Sequence, residues 1–153
     1  MIGISHGHLE KQRDMLIESL IEYHKKKDHD ITVVFDGWKN GSARENHSMI
    51  GGIKIIYSRL GEKADSVIRR IISSDRRGWA VVTSDRDIAA HAWTSGAVPI
   101  SSEDFMSAIE KRRIGNEILY EEDDEEYMKP RRKGSPRKLS KKETAIKKIL
   151  SKL

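Results

Sequence analysis

Ile31-Thr32-Val33-Val34-Phe35-Asp36-Gly37 joins five strand-forming residues to an acid and a turn glycine. β-Branched and aromatic side chains fit a pleated backbone, and a run apolar at every position suits a sheet covered on both faces. The expected place is a central parallel strand. Residues 53–57, 79–83 and, more briefly, 97–100 share this character. Helical patterns lie around them. Leu9, Leu16, Ile17, Leu20 and Ile21 mark one face of an amphipathic helix over 9–27, and Ala64, Val67, Ile68, Ile71 and Ile72 repeat at i, i+3, i+4. A short helix over 86–94 buries Ile88, Ala89 and Ala92. Ser101 and Asp104 fit a capping box before a helix carrying Phe105, Met106 and Ile109. Strands alternating with helices predict an α/β domain, a mostly parallel sheet flanked by helices with right-handed crossovers. Residues 37–52 show no helical period and contain Asn40-Gly41 and Gly51-Gly52, so they read as a long loop of the kind kept for function.

The chain has 153 residues, a formal charge of +5 and no cysteine. That length suits one domain, and the missing thiols exclude disulfide scaffolds and Cys-ligated zinc or iron–sulfur sites. A reducing cytoplasm is the expected setting. No apolar run nears the roughly eighteen residues of a membrane span, so no membrane partner is expected. Without a Gly-rich phosphate loop, no nucleotide cofactor is expected either. Composition divides the chain into a domain over 1–115, a disordered linker over 116–139 and a short basic amphipathic helix over 140–153. The linker runs from the acidic block 121–126 into Lys129-Pro130-Arg131-Arg132-Lys133, which buries too little apolar surface to fold alone. The final segment has a capping box from Ser140 and Glu143, and it sets Ile146, Ile149, Leu150 and Leu153 opposite five lysines.

Asp36 follows the first strand, Asp65 opens a helix, and Asp85 and Asp87 follow Val81-Val82-Thr83-Ser84. Open α/β sheets bind ligands outside the carboxyl ends of their strands, where acids distant in sequence can converge. Gathered carboxylates repel unless a cation relieves them, and hard oxygen ligands suit Mg²⁺ or Mn²⁺ working against phosphates. Each aspartate also has an ordinary explanation: a turn for Asp36-Gly37, a helix cap for Asp85 and a favourable helix dipole for Asp65. Their joint placement favours metal-assisted phosphodiester chemistry.

Val33-Val34-Phe35-Asp36-Gly37, Gly61-Glu62-Lys63-Ala64-Asp65-Ser66 and Val81-Val82-Thr83-Ser84-Asp85-Arg86-Asp87, with Gly51-Gly52-Ile53 between them, resemble the YacP-like branch of the NYN domains in the PIN-like nuclease superfamily. The resemblance covers about residues 1–109. It implies a PIN-like, Rossmann-like fold and a metal-dependent endoribonuclease, with mRNA on the ribosome as the expected substrate. The family's acidic positions match Asp36, Asp65 and Asp85, and Asp87 adds a candidate in the same turn. By the same resemblance, Met1-Ile2-Gly3 looks like the residues just after an Asp-Gly-Tyr-Asn-like motif that ends the relatives' first strand. The expectation is a chain shortened at its amino terminus, lacking one catalytic aspartate and a middle strand. The alternative is a noncatalytic RNA- or ribosome-binding module.

For RNA contact the candidates are Trp38, able to stack on a base, Lys39 and Arg44 in the 37–52 loop, Arg86 between two acids, and Arg131, Arg132 and Lys133 in the tail. Arg59, Arg69 and Arg70 are open to the same phosphate-path reading as Arg86, but charges on a helix read first as a solvated face. His6, His8, His24, His29, His47 and His91 form no helical ligand pair and read as solvated or helix-end residues.

Overall fold

The computed structural model describes residues 6–37, 43–75, 78–118 and 139–153. It divides into two compact units, 1–71 and 72–153, whose boundary falls inside one helix. In the first unit α1 (His6–Lys27) leads to β1 (Thr32–Phe35), β2 (Asn46–Ile50), β3 (Ile53–Tyr57) and the start of α2 (Ala64–Ser74). The second contains the end of α2, then β4 (Ala80–Val82), α3 (Arg86–Thr94), β5 (Val98–Ile100), α4 (Ser102–Ile118) and α5 (Lys141–Leu150).

The described strands form two small sheets instead of one, with two parallel pairings and one antiparallel. In the first unit the order is β1-β3-β2, with β1 parallel to β3 and β2 antiparallel to it; β4 and β5 form a separate parallel pair. The apolar β1 is therefore an edge strand among the described residues, and all four of its residues are only half-buried. The central strand of this sheet is β3, whose Ile53, Ile55 and Ile56 are the buried ones. Continuous apolarity marked both strands as sheet, but it carried no information on which would be flanked on both sides.

The long loop expected over 37–52 is also corrected, because 46–50 pair with 53–57 from Asn46↔Tyr57 to Ile50↔Ile53. Gly51 and Gly52 are the two-residue turn of this hairpin, both at positive φ (57° and 87°), as a turn matched to the twist of its strands requires. They also form a contact with α1: a Cβ on Gly51 would meet the Ile21 side chain at 2.7 Å, and one on Gly52 the His24 ring at 2.4 Å. Glycine here serves chain reversal and helix-on-hairpin packing at once. The β2 sequence Asn-His-Ser-Met-Ile has little strand signature, and its outer residues are exposed, so pairing rather than burial makes it a strand.

The face of α1 is displaced from the expected one. Ile17, Leu20 and Tyr23 are buried, whereas Leu9 and Leu16 are exposed. Arg13 lies over the stacked rings of Phe35 and Tyr57, 5.3 and 5.6 Å from their centroids. The helix ends with Asp28 at φ 53°, its N–H bonded to the His24 carbonyl at 2.8 Å, a left-handed close that Asp tolerates. His24 Nδ1–H donates to the His29 carbonyl at 2.8 Å, consistent with a helix-end role.

In the second unit Ile72, Val81, Ile88, Ala92, Ala97 and Ile100 are buried. Helix α4 starts where Ser101 Oγ accepts the Asp104 N–H at 3.0 Å, and it runs past the expected boundary at 115 to Ile118. The rest of the expected linker up to 138, with Arg131, Arg132 and Lys133, lies outside the described residues. Helix α5 forms with the full capping box read from Ser140 and Glu143. It packs against β5 and α4 and sets Lys142 over the Trp93 ring at 5.5 Å. It is thus a packed element of the second unit.

Candidate functional site

Asp36 emerges exposed from β1, and its carboxylate Oδ1 accepts the Ala64 N–H at 2.6 Å. Ala64 is the first residue of α2, whose leading N–H groups have no partner within the helix. A side chain 28 positions earlier therefore caps α2, and the contact brings Asp36 to the helix turn that carries Asp65. The adjoining Gly37 N–H donates to Ser58 Oγ at 3.1 Å, and Ser58 Oγ donates to the Glu62 carbonyl at 2.7 Å. Only 2% of Ser58 is exposed. The Asp36–Ala64 and Gly37–Ser58 hydrogen bonds join the strand end to the 58–64 loop, and the Ser58–Glu62 bond braces the loop itself.

A second set of contacts fixes the outer side of this loop. Arg70 pairs with Glu62 at 2.7 Å and with Glu45, Arg59 pairs with Glu62 at 3.2 Å, and His47 lies against Glu45. The hydrogen bond to Glu62, aided by the nearby Glu45, holds the Arg70 guanidinium above its ordinary pKa against the opposing effect of desolvation. An open pocket of about 350 Å³ lies among Arg44, Glu45, Arg59, Glu62 and Arg70. A wider one of about 780 Å³ is lined by Arg59, Leu60, Gly61, Lys63 and Ser66 beside the α2 start. Arg59 and Arg70 are thus ion-pair partners rather than a plain solvated face. Lys63, which sequence reasoning passed over, contributes a cation to the wider pocket.

In the second unit Asp85 is the N-cap of α3, its Oδ1 accepting the N–H groups of Asp87 at 2.8 Å and Ile88 at 3.0 Å. The ordinary reading of Asp85 as a cap is therefore correct, whatever else it does. Asp87 sits in the first turn of α3, and Arg86 is exposed at its start. The structure thus brings Asp36 to the helix turn that carries Asp65, and sets Asp85 and Asp87 at the start of one helix. No group of three or more His, Asp or Glu side chains that could hold a metal is found among the described residues. The donors are all carboxylate oxygens, a chemistry that fits Mg²⁺ or Mn²⁺ and not a soft metal. Of the RNA-contact candidates, Arg44 borders the smaller pocket, while Trp38 and Lys39 lie outside the described residues.

Ser58 and the Glu45–Arg70–Glu62 contacts are the site features that sequence reasoning missed. A polar residue directly after Ile53-Lys54-Ile55-Ile56-Tyr57 was a usable signal for Ser58, since a serine at the end of a buried strand must find partners. Nothing local marks the ion pairs, which join residues 8 and 25 positions apart.

Fold and site together define a mixed α/β domain with acids at its strand ends and helix starts. The chain belongs to the YacP-like NYN domain family, which it matches over residues 3–151, and that membership implies a nuclease-like, RNA-related function. Two crystal structures of Rae1 (YacP) from Bacillus subtilis have a similar fold. A mutant form is 23% identical with a TM-score of 0.58, covering 77% of this chain and 71% of that one. The other is 22% identical with a TM-score of 0.54, covering 72% of this chain and 66% of that one. No curated protein matches the chain.

Proposed function

We propose that this protein is a metal-dependent endoribonuclease that hydrolyses RNA phosphodiester bonds. The observation that carries the reading is the Asp36 carboxylate bound to the α2 start beside Asp65, in a chain matched to a nuclease-like family along nearly its whole length. In this reading Asp65 and Asp85 hold Mg²⁺ or Mn²⁺ directly, Asp36 does so directly or through water, and Asp87 supports them. The bound ion supplies an activated water and offsets charge on the scissile phosphate and leaving oxygen. No protein nucleophile is required. Asp36 and Asp85 are each oriented by backbone N–H groups, which fixes their carboxylates before any ligand arrives. Lys63, Arg44 and Arg86 are exposed cations suited to RNA phosphates, and Trp38, Lys39, Arg131, Arg132 and Lys133 remain proposed contacts from sequence. Ribosome-associated mRNA as substrate, and a cytoplasmic setting, rest on the family resemblance and composition. No helix among the described residues is long and apolar enough to cross a membrane.

The test is cleavage of single-stranded RNA with Mg²⁺ or Mn²⁺, repeated with chelator and with Asp65→Asn. Loss of cleavage in both controls is expected, and an Asp65→Asn protein that cleaves at the normal rate would overturn the assignment. A second reading, a noncatalytic RNA- or ribosome-binding module, is favoured by the absence of a three-carboxylate cluster among the described residues. Its mark is RNA binding that survives chelation and yields no product.

A further inference from the structure

We infer that Ser58 is a positioning residue for the Asp36 and Asp65 carboxylates, locking the β1 exit and the α2 start into one piece. The consequence for metal binding rests on the nuclease reading above; the hydrogen-bond geometry does not. Ser58 is nearly inaccessible, with 2% of its surface exposed, yet its hydroxyl is used in both directions. It accepts the Gly37 N–H at 3.1 Å and donates to the Glu62 carbonyl at 2.7 Å. Its own N–H donates to the Phe35 carbonyl at 3.0 Å. Ser58 therefore holds the chain immediately before Asp36, the residue immediately after it, and the loop leading to Ala64.

The close approach leaves little freedom. A Cβ at position 37 would fall 1.8 Å from the Ser58 carbonyl oxygen, so the backbones touch on the side of Gly37. The Asp36 carboxylate then reaches Ala64, one residue before Asp65. Without the Ser58 hydroxyl, the Gly37 N–H loses its buried partner and the Glu62 carbonyl its donor, which frees the 58–64 loop to shift relative to Asp36. A shift of an ångström at one carboxylate matters for a metal ligand and little for overall folding.

The experiment compares the full chain with Ser58→Ala, Ser58→Thr and Ser58→Cys. Amide hydrogen exchange at Gly37 and Ala64 is measured by NMR, and RNA cleavage is titrated with Mn²⁺. In Ser58→Ala, exchange at both amides is expected to quicken about tenfold or more, and half-saturating Mn²⁺ to rise several-fold while the rate at saturation recovers. Ser58→Thr, which keeps the hydroxyl, is expected to restore both. Should Ser58→Ala fail to fold, Ser58→Cys keeps the size with a weaker hydrogen-bonding group and is expected to change both readouts in the same direction. Unchanged Ala64 exchange in a folded Ala or Cys variant overturns the inference, and so does an unchanged Mn²⁺ requirement where the native chain cleaves. A native chain that cleaves nothing in Mn²⁺ overturns the nuclease reading and the metal-binding consequence, while the exchange result still decides the hydrogen-bonded lock by itself.

Discussion

Gly37 is glycine because another backbone occupies the place of its side chain. Its φ is not positive, so steric contact and not conformational freedom excludes a Cβ. Gly37→Ala is expected to destabilise the protein by about 1–3 kcal/mol, the usual cost of forcing an extra carbon into a packed site. A lower denaturant midpoint with an unchanged slope is the measurement that checks it. Asp85 presents the opposite case, a residue with a structural duty that a conservative change preserves. Asparagine caps helices as well as aspartate does, so Asp85→Asn is expected to keep stability within about 0.5 kcal/mol. Cleavage is expected to fall about a hundredfold or more, because the neutral amide is a poor ligand for a hard cation. A variant that folds and cleaves normally would reduce Asp85 to its cap. The sequence showed all four aspartates at strand ends or helix starts, but not that Asp36 would cap a helix 28 residues away.

Elements here are stabilised partly at their ends. Glu143 bonds the Ser140 N–H at 2.7 Å, and that backbone contact, followed by the Ser140 side chain, lowers its pKa below the ordinary glutamate value. A carboxyl whose folded pKa is depressed adds stability above the unfolded value and loses it as pH falls through the folded one. The capping box should therefore loosen only in acid, beginning below the ordinary glutamate range. Amide exchange in α5 that quickens over that window in the native chain, and is insensitive to it in Glu143→Gln, is the expected result. The Arg70 pairs are a different kind of tie. Half of the Arg70 side chain is exposed (51%), so solvent screening limits their worth to about 1 kcal/mol or less. Arg70→Gln is expected to lower the unfolding midpoint slightly at low salt and to match the native chain at 1 M salt, where the Debye length is about 3 Å.

At the scale of the whole chain, each compact unit carries two of the four candidate aspartates, and α2 spans the boundary between the units. If the proposed ligands bind a cation, binding to the folded state alone must raise the melting temperature. Added Mn²⁺ is expected to shift the melt of the native chain upward by a few degrees and to shift Asp65→Asn by less. Equal shifts would remove Asp65 from the ligand set. Helix α5, read from sequence as a short basic amphipathic helix, is packed on β5 and α4, and the family match runs to residue 151, through α5. Its isolated sequence is too short to be stable alone, and packing supplies what local propensity does not.

Local chemistry determined what lies along the chain. Apolar runs marked β1, β3 and β4, spaced stripes marked the helices, and the paired capping residues placed the starts of α4 and α5 within a residue. Strand-end and helix-start acids motivated the metal-dependent reading proposed above. Tertiary structure decided the matters that depend on neighbours remote in sequence: that among the described residues β3 and not β1 is flanked on both sides, that a polar segment becomes β2, and that Gly51-Gly52 packs on α1. It also joined Asp36, Ser58, Glu62 and Ala64 through hydrogen bonds. Hydrophobic periodicity reports how a residue relates to its own element, whereas pairing, backbone contact and hydrogen bonding depend on which element lies beside it.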